Sequence, residues 1–238
     1  MITTRSFAVL GASLAAGLAI FGLQIGHAVR RGREFDRYFT ARGLSEREVT
    51  ATLAVWPLYF SVFAQELPAL KTEMENTRQI VDRFLRAHDI PAEDVTVGLP
   101  GLVDNLDNNY GQTNLDLPRY KGIGTLVVRS PKVELVKRAI QEVDALLAQG
   151  VRIGAGGYHN VEGTRFVFEG VNELKPALIE EATANARAAA AKFAQDSRAK
   201  VGAIRRATQG ALEIDQRDAA SPEKKIVRVV TTVEFFIE

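Results

Sequence analysis

The chain has 238 residues, of which 46% are hydrophobic and 25% are charged, a composition typical of a globular protein rather than a disordered one. A formal net charge of +1 argues against an electrostatic nucleic-acid binder. The absence of cysteine excludes disulfides, cysteine-ligated zinc and a cysteine nucleophile.

The amino-terminal stretch from Ser6 to Val29 contains no Asp, Glu, Lys or Arg. As a helix, its 24 residues (29 − 6 + 1) would extend about 36 Å and could cross a hydrocarbon core of roughly 30 Å. We therefore predict a membrane anchor with its juxtamembrane segment over residues 1–34, with the membrane as the partner of residues 6–29. The alternative is a cleaved signal peptide, for which residues 26–28 (Gly-His-Ala) offer a weak cleavage site.

The charges on either side of this stretch favour a different orientation from the one that export of the body requires. Arg30, Arg31 and Arg33 follow it at once, whereas Arg5 and the amino terminus precede it. The positive-inside rule alone would place the rest of the chain in the cytoplasm, while export of a signal-anchored body needs the opposite arrangement. Residues 30–46 fit either an aromatic membrane-interface segment or the first strand of the body, beginning at Tyr38.

The first half of the body combines strand and helix patterns. Alternating apolar residues predict a long strand over residues 47–63, in which Pro57 marks an edge, a bulge or a break. An apolar stripe at spacings of three and four predicts a helix over residues 67–89. A short strand follows at residues 94–97, and the density of turn-forming residues predicts a long polar loop over residues 98–119.

The second half begins with a strand over residues 120–129 and a helix from Pro131 that ends at Gly150. A glycine-rich turn over residues 150–163 leads to a short strand at residues 165–169. Residues 172–197 form the longest predicted helix outside the amino-terminal stretch. Its alanine-rich face would let a sheet or another helix approach closely.

Two strands, over residues 202–212 and 226–237, close the chain. In the last strand Val230 and Phe236 make the second face partly apolar, which suits a central or interface strand. The order after the anchor is β-α-β-β-α-β-α-β-β, and its first six elements follow the split βαβ pattern. This order predicts an α+β body over residues 35–238, with helices on one side of a mostly antiparallel sheet.

The chemistry-bearing residues do not form a recognisable site. His27, His88 and His159 lie far apart, without metal-ligand spacing. Asp104 and Asp107, in a loop also rich in asparagine, lack the alternating acids of a calcium loop. The glycines of residues 154–157 lack the Lys-Ser/Thr pair of a phosphate-binding loop. We therefore expect no catalytic, cofactor-binding or metal-binding residues, no cofactor, no nucleic-acid partner and no enzymatic activity.

Several stretches together indicate a family by their order and spacing. They are Arg42-Gly43-Leu44 before the early strand, Val128-Arg129-Ser130 before the middle helix, the alanine-rich helix leading into Lys200-Val201-Gly202, and the terminal Val229–Val233 strand. With these stretches, the chain resembles the bacterial SIMPL-domain proteins from roughly Phe35 to Glu238.

The resemblance implies properties that the residues alone do not. Bacterial members are mostly exported to the periplasm or outer envelope, at least one relative is similar to a large channel-like homo-oligomer, and links to oxidative-stress tolerance are reported for some. No catalytic residues are established for the family.

We therefore expect a non-enzymatic envelope protein with a role in stress tolerance, anchored in the inner membrane by one span and with its body in the periplasm. It would form a ring- or channel-like homo-oligomer larger than a dimer, with Val230 or Phe236 near a contact. The main alternative is a soluble periplasmic ligand-binding protein with a cleaved signal peptide and a cleft near the loop of residues 98–119. A third is an enzyme whose acids come from distant loops.

Overall fold

A computed structural model of the chain describes residues 14–27, 38–106, 118–154 and 163–237. These residues form two compact units. The first unit comprises the described parts of Met1–Glu46, Lys175–Glu213 and Arg228–Glu238, and the second comprises those of Arg47–Leu174 and Ile214–Val227.

The described elements combine nine strands with five helices. The strands are β1 (Tyr38–Thr50), β2 (Leu53–Ala64), β3 (Val95–Val97), β4 (Gly101–Asp104), β5 (Tyr120–Ser130), β6 (Arg152–Ile153), β7 (Arg165–Val167), β8 (Val201–Gln216) and β9 (Lys224–Ile237). The helices are α1 (residues 14–27), α2 (Leu67–Ala87), α3 (Val133–Gln141), α4 (Ala145–Ala148) and α5 (Val171–Ser197), with a turn of 3-10 helix at Ala92–Asp94.

A six-stranded sheet forms the basis of the second unit. Its central strands β2 and β5 pair antiparallel, from Ala54 opposite Ser130 to Ala64 opposite Tyr120. Strands β3 and β4 pair with the other edge of β5, and β6 and β7 pair with the other edge of β2. Every pairing that the structure describes in this sheet is antiparallel. The predicted α+β class with antiparallel strands is therefore confirmed. The split βαβ pattern is also confirmed, because α2 connects β2 to β3 while β5 lies between these two strands in the sheet.

Helices α2, α3 and α4 cover one face of this sheet. Alternate residues of the two central strands point into the core, among them Trp56, Leu58, Leu126 and Val128. The predicted apolar stripe of α2 is confirmed, because the buried residues of this helix are Leu70, Thr77, Val81, Phe84 and Leu85. Each large apolar side chain buried in this way contributes about 1.5–3 kcal/mol.

A three-stranded sheet with the order β1-β9-β8 forms the basis of the first unit. Helix α5 buries a row of alanines against it, and Ala186 and Ala190 pack with Val233 and Phe235 of the central strand β9. A Cβ atom on Gly43 of β1 would lie 1.8 Å from the carbonyl oxygen of Ala182 in α5. The predicted role of the small-residue helix face is thus confirmed, since a sheet approaches it to backbone contact.

The long strand predicted over residues 47–63 is in fact two strands. The chain leaves β1 after Thr50 and enters β2 at Leu53. Between them, the Ala51 N–H donates to the Glu223 carbonyl oxygen and the Thr52 N–H to the Val167 carbonyl oxygen, each at 2.8 Å. These distant partners set the break between β1 and β2, which lies ahead of Pro57.

Pro57 instead lies in the middle of β2, opposite Val127 of β5. On its other edge, β2 pairs with β7 through Leu53–Val55 and with β6 through Phe60–Ser61, and Pro57 falls between these two pairings. A proline that lacks an N–H is tolerated at a place where the ladder is interrupted.

Other element boundaries also differ from the predictions. Of the two interpretations of residues 30–46, the strand beginning at Tyr38 is confirmed, and residues 30–37 lie outside the described residues. The predicted loop over residues 98–119 contains β4, and its residues 107–117 also lie outside the described part. The helix predicted from Pro131 to Gly150 is split into α3 and α4. The turn predicted over residues 150–163 contains the short strand β6.

The predicted membrane span over residues 6–29 is described only over helix α1, because residues 6–13 and 28–29 lie outside the described residues. The large apolar side chains of α1 are exposed, namely Leu14, Leu18, Ile20, Phe21, Leu23 and Ile25. Among the described residues, no helix combines the length and the apolar character that crossing a bilayer requires.

Candidate functional site

A cavity of about 570 Å³ lies in the second unit, between helix α2 and the sheet edge formed by β3 and β4. Its volume is within the range of roughly 300–1,000 Å³ that small-molecule sites occupy. Apolar side chains make up most of its lining, including Phe60, Leu70, Met74, Val97, Leu102 and Leu126. The cavity adjoins the first residues of the segment for which the sequence predicted a ligand cleft, residues 98–119.

One stripe of α2 faces the cavity. It consists of Leu67, Leu70, Lys71, Met74, Glu75 and Arg78, at the spacings of three and four that place side chains on one helix face. The apolar members form the wall, and the charged members are exposed or half-exposed. Because long charged side chains keep their heads in water, this arrangement gives an apolar interior with a charged margin.

Two glycines of β5 provide space for this site. A Cβ atom on Gly124 would lie 2.1 Å from Cζ of the Phe60 ring, and one on Gly122 would lie 2.7 Å from the sulfur of Met74. Both distances are below any ordinary van der Waals contact. Glycine at these positions therefore leaves room for two lining side chains close to the backbone of β5.

The charges at the margin are not equivalent. The guanidinium of Arg78 donates to Glu75 at 2.6 and 3.1 Å and to Asp82 at 3.3 Å. These hydrogen bonds hold the pKa of Glu75 below its usual value and raise the pKa of Arg78. Lys71 has no hydrogen-bond or ion-pair partner among the described residues. The sequence predicted the helix stripe but gave no sign that Lys71 would lie beside a cavity.

A second unusual surface is strand β8, most of which lies in the first unit. It is an edge strand of 16 residues, every one of which is exposed or half-exposed. Its large apolar residues Ile204 and Ile214 are exposed to 42% and 40%. A long edge strand presents unpaired backbone N–H and C=O groups, which proteins usually protect from pairing with another chain.

The histidines do not come together in the described structure. His88 contacts the Phe84 carbonyl oxygen through Nδ1 at 2.8 Å and Glu142 through Nε2 at 3.1 Å, which ties α2 to the end of α3. His27 ends the described part of α1, and His159 lies outside the described residues. No group of three or more His, Asp or Glu side chains that could hold a metal ion occurs in the described part of the chain.

The acidic loop residues that are described have structural contacts. Asp104 accepts hydrogen bonds from Arg119, including one of 3.1 Å from Nη2, and one of 2.9 Å from the Leu106 N–H. The contact with Arg119 holds the pKa of Asp104 below its usual value. Asn105 donates to the Pro118 carbonyl oxygen at 2.7 Å. These contacts tie together the described ends of the loop, whereas Asp107 lies outside the described residues, as do residues 155–157 of the glycine cluster.

A comparison with known protein families identifies the chain. The model of the SIMPL family, described as a protein of unknown function (DUF541), matches residues 39–235. The chain belongs to the SIMPL family. The match begins in β1 and ends in β9, so the SIMPL region includes both sheets, the cavity and the edge strand. No curated protein matches the chain.

Proposed function

We propose that this SIMPL protein is a non-enzymatic envelope protein that self-assembles through the edge strand β8 into a homo-oligomer larger than a dimer. The observation that carries the proposal is the exposure of β8 along its 16 residues. An edge of this length offers a row of backbone donors and acceptors for a neighbouring copy. A head-to-tail contact that closes under rotation would give a ring, which is the channel-like form expected for this family.

The proposed location is the inner membrane, with residues 6–29 as a single-pass anchor and the body in the periplasm. The uncharged amino-terminal run and the exposed apolar side chains of α1 support the anchor. Attachment to a membrane raises the local concentration of copies and so strengthens weak lateral contacts. A role in envelope stress tolerance would follow from such an assembly, and deletion of the gene would then increase sensitivity to peroxide.

The assembly is tested by the particle size of the full-length protein in detergent. Replacing Ile204 by Asp places a charge on β8 where the single chain is already exposed, so the fold should survive while lateral contacts are lost. The matched control is Leu147→Asp on α4, at a side chain that is 57% exposed. We expect oligomers for the wild type and the control and monomers for Ile204→Asp. A monodisperse monomer for the wild type would remove the proposal.

The earlier expectation about β9 remains a prediction. Val230 and Phe236 are half-buried on this central strand, and its opposite face packs against α5. The neighbouring strands β1 and β8 already account for part of their burial. The argument for assembly therefore rests on β8 rather than on these two residues.

The orientation is tested by a reporter fused after Glu238. We expect activity of a periplasm-dependent reporter, because the resemblance to envelope proteins favours export. Activity of a cytoplasm-dependent reporter instead would show that the arginines after the span, at residues 30, 31 and 33, determine the orientation.

A second candidate function, ligand binding in the periplasm, is supported by the cavity beside α2. An apolar cavity with a few charged groups at its margin is the usual form of a small-molecule site. The uncharged dye Nile red should bind the full-length protein, and Leu102→Asp, which adds a charge to the cavity wall, should remove this binding. Equal fluorescence for the wild type and this variant would show that the cavity takes no ligand.

A further inference from the structure

The inner part of the cavity is suited to an apolar group. Phe60, Leu70 and Leu126 are buried in its lining, each no more than 4% exposed. Val97 and Leu102 at the sheet edge line the same cavity but are each 58% exposed. Apolar side chains that converge on an open cavity gain free energy when a ligand removes their surface from water.

The margin of the cavity favours an anion. Its charged lining residues are Lys71, Glu75 and Arg78, which together carry a net charge of +1. The charge of Arg78 is shared between Glu75 and Asp82, which lie within 3.3 Å of it. Lys71 has no such partner among the described residues, so its ammonium is the group that can pair with a ligand. It lies one helix turn from both Leu67 and Met74, beside the apolar wall.

We propose that this cavity binds a single-chain amphiphile with an anionic head group, its apolar chain along the wall of α2 and its head group at Lys71. The inference rests on the second candidate function, ligand binding in the cavity, and does not depend on self-assembly. Free fatty acids and lysophospholipids with a phosphate head share this chemistry. Both are products of enzymes that hydrolyse membrane lipids, so the reaction that supplies the ligand would be the release of an acyl chain.

The test compares three probes with twelve-carbon chains on the full-length protein in phosphatidylcholine nanodiscs, with empty nanodiscs as the blank. Isothermal titration calorimetry would measure dodecanoate, dodecyl phosphate and dodecyltrimethylammonium, each below its micellar concentration. We expect both anions to bind about fivefold more tightly than the cation, the upper end of the preference that one exposed charge pair can supply. Tighter binding of dodecanoate would assign the site to fatty acids, and tighter binding of dodecyl phosphate to phosphate-headed lipids.

Matched variants separate the head-group contact from the chain contact. Lys71→Glu should abolish the preference for anions, whereas Arg83→Glu, which makes the same charge change on α2 away from the cavity, should retain it. Leu102→Asp should weaken the binding of all three probes more than tenfold. Its control Leu99→Asp, at a side chain that is 94% exposed and outside the cavity lining, should not.

The outcomes distinguish the two levels of the proposal. Equal binding of anions and cation, with loss in Leu102→Asp, would overturn the ligand class while leaving ligand binding in place. Failure of all three probes and of Nile red to bind the folded wild type would overturn both. Equal losses in Lys71→Glu and Arg83→Glu would show a general charge effect and would also reject the head-group assignment.

Discussion

The contact between Gly43 and helix α5 gives the sharpest test of how the first unit is packed. In Gly43→Ala, the new methyl group would lie 1.8 Å from the Ala182 carbonyl oxygen and 2.4 Å from the Ala186 nitrogen, where ordinary contacts begin at 3.4 Å. The helix and strand must therefore separate by about 1.6 Å (3.4 − 1.8). Overpacking of a core costs typically about 1–3 kcal/mol, and we expect the upper end because backbone atoms obstruct the methyl group.

A loss of about 3 kcal/mol is a large part of the roughly 5–15 kcal/mol that stabilises a domain. At a slope of about 1–3 kcal/mol per molar urea, the midpoint of urea unfolding should fall by at least about 1 M. Circular dichroism at helix wavelengths measures this unfolding midpoint, since α5 is the longest described helix. In the control Gly163→Ala, the methyl group enters open space and should not destabilise the chain.

A second variant shows whether the obstruction is the backbone. Adding Ala182→Gly to Gly43→Ala removes a methyl group but leaves the carbonyl oxygen in place, so stability should not return. An unfolding midpoint for Gly43→Ala equal to that of the wild type would refute the packing described for β1 and α5. Recovery in the double variant would show that side chains, and not the main chain, set the distance.

Three further predictions concern the second unit and metal content. In Gly124→Ala the obstructing atoms belong to a side chain, so urea unfolding should show destabilisation of about 1–3 kcal/mol that Phe60→Leu partly restores; no restoration would contradict this account. Burial raises the pKa of Glu223, but hydrogen bonding, led by Lys137 Nζ at 2.5 Å, outweighs it and holds this pKa below its usual value. Lys137→Met should therefore destabilise the protein at about pH 7, and this difference should shrink as Glu223 is protonated towards about pH 4; a pH-independent difference in urea titrations would reject the assignment. Elemental analysis should find no stoichiometric zinc or iron, and a value near one per chain would contradict that expectation.

The sequence predicted best the elements whose pattern is local and long. The stripe of α2 repeats at spacings of three and four from Leu70 to Phe84, so its buried face could be identified without knowledge of the sheet. The pattern in β9 predicted a central or interface strand, and the structure places β9 between β1 and β8. Strand β4 was assigned to a loop because Gly101–Asp104 is too short to show a period.

Features set by distant partners could not be predicted. The break after Thr50 depends on hydrogen bonds to Glu223 and Val167, which are far away in the sequence. The cavity depends on Gly124 lying under the ring of Phe60, and the sequence shows only that β5 contains two glycines. Whether the ammonium of Lys71 has an ion-pair partner likewise depends on which acids pair with Arg78, and this pairing is visible only in the folded chain.

The burial of Trp56 has a practical consequence for experiments on this chain. It is the only tryptophan, and it is 6% exposed within the core of the second unit. Its fluorescence therefore follows the second unit alone, whereas circular dichroism also includes α5. If the two signals separate during a urea titration, each unit unfolds at its own denaturant concentration; if they coincide, the chain unfolds as one cooperative block.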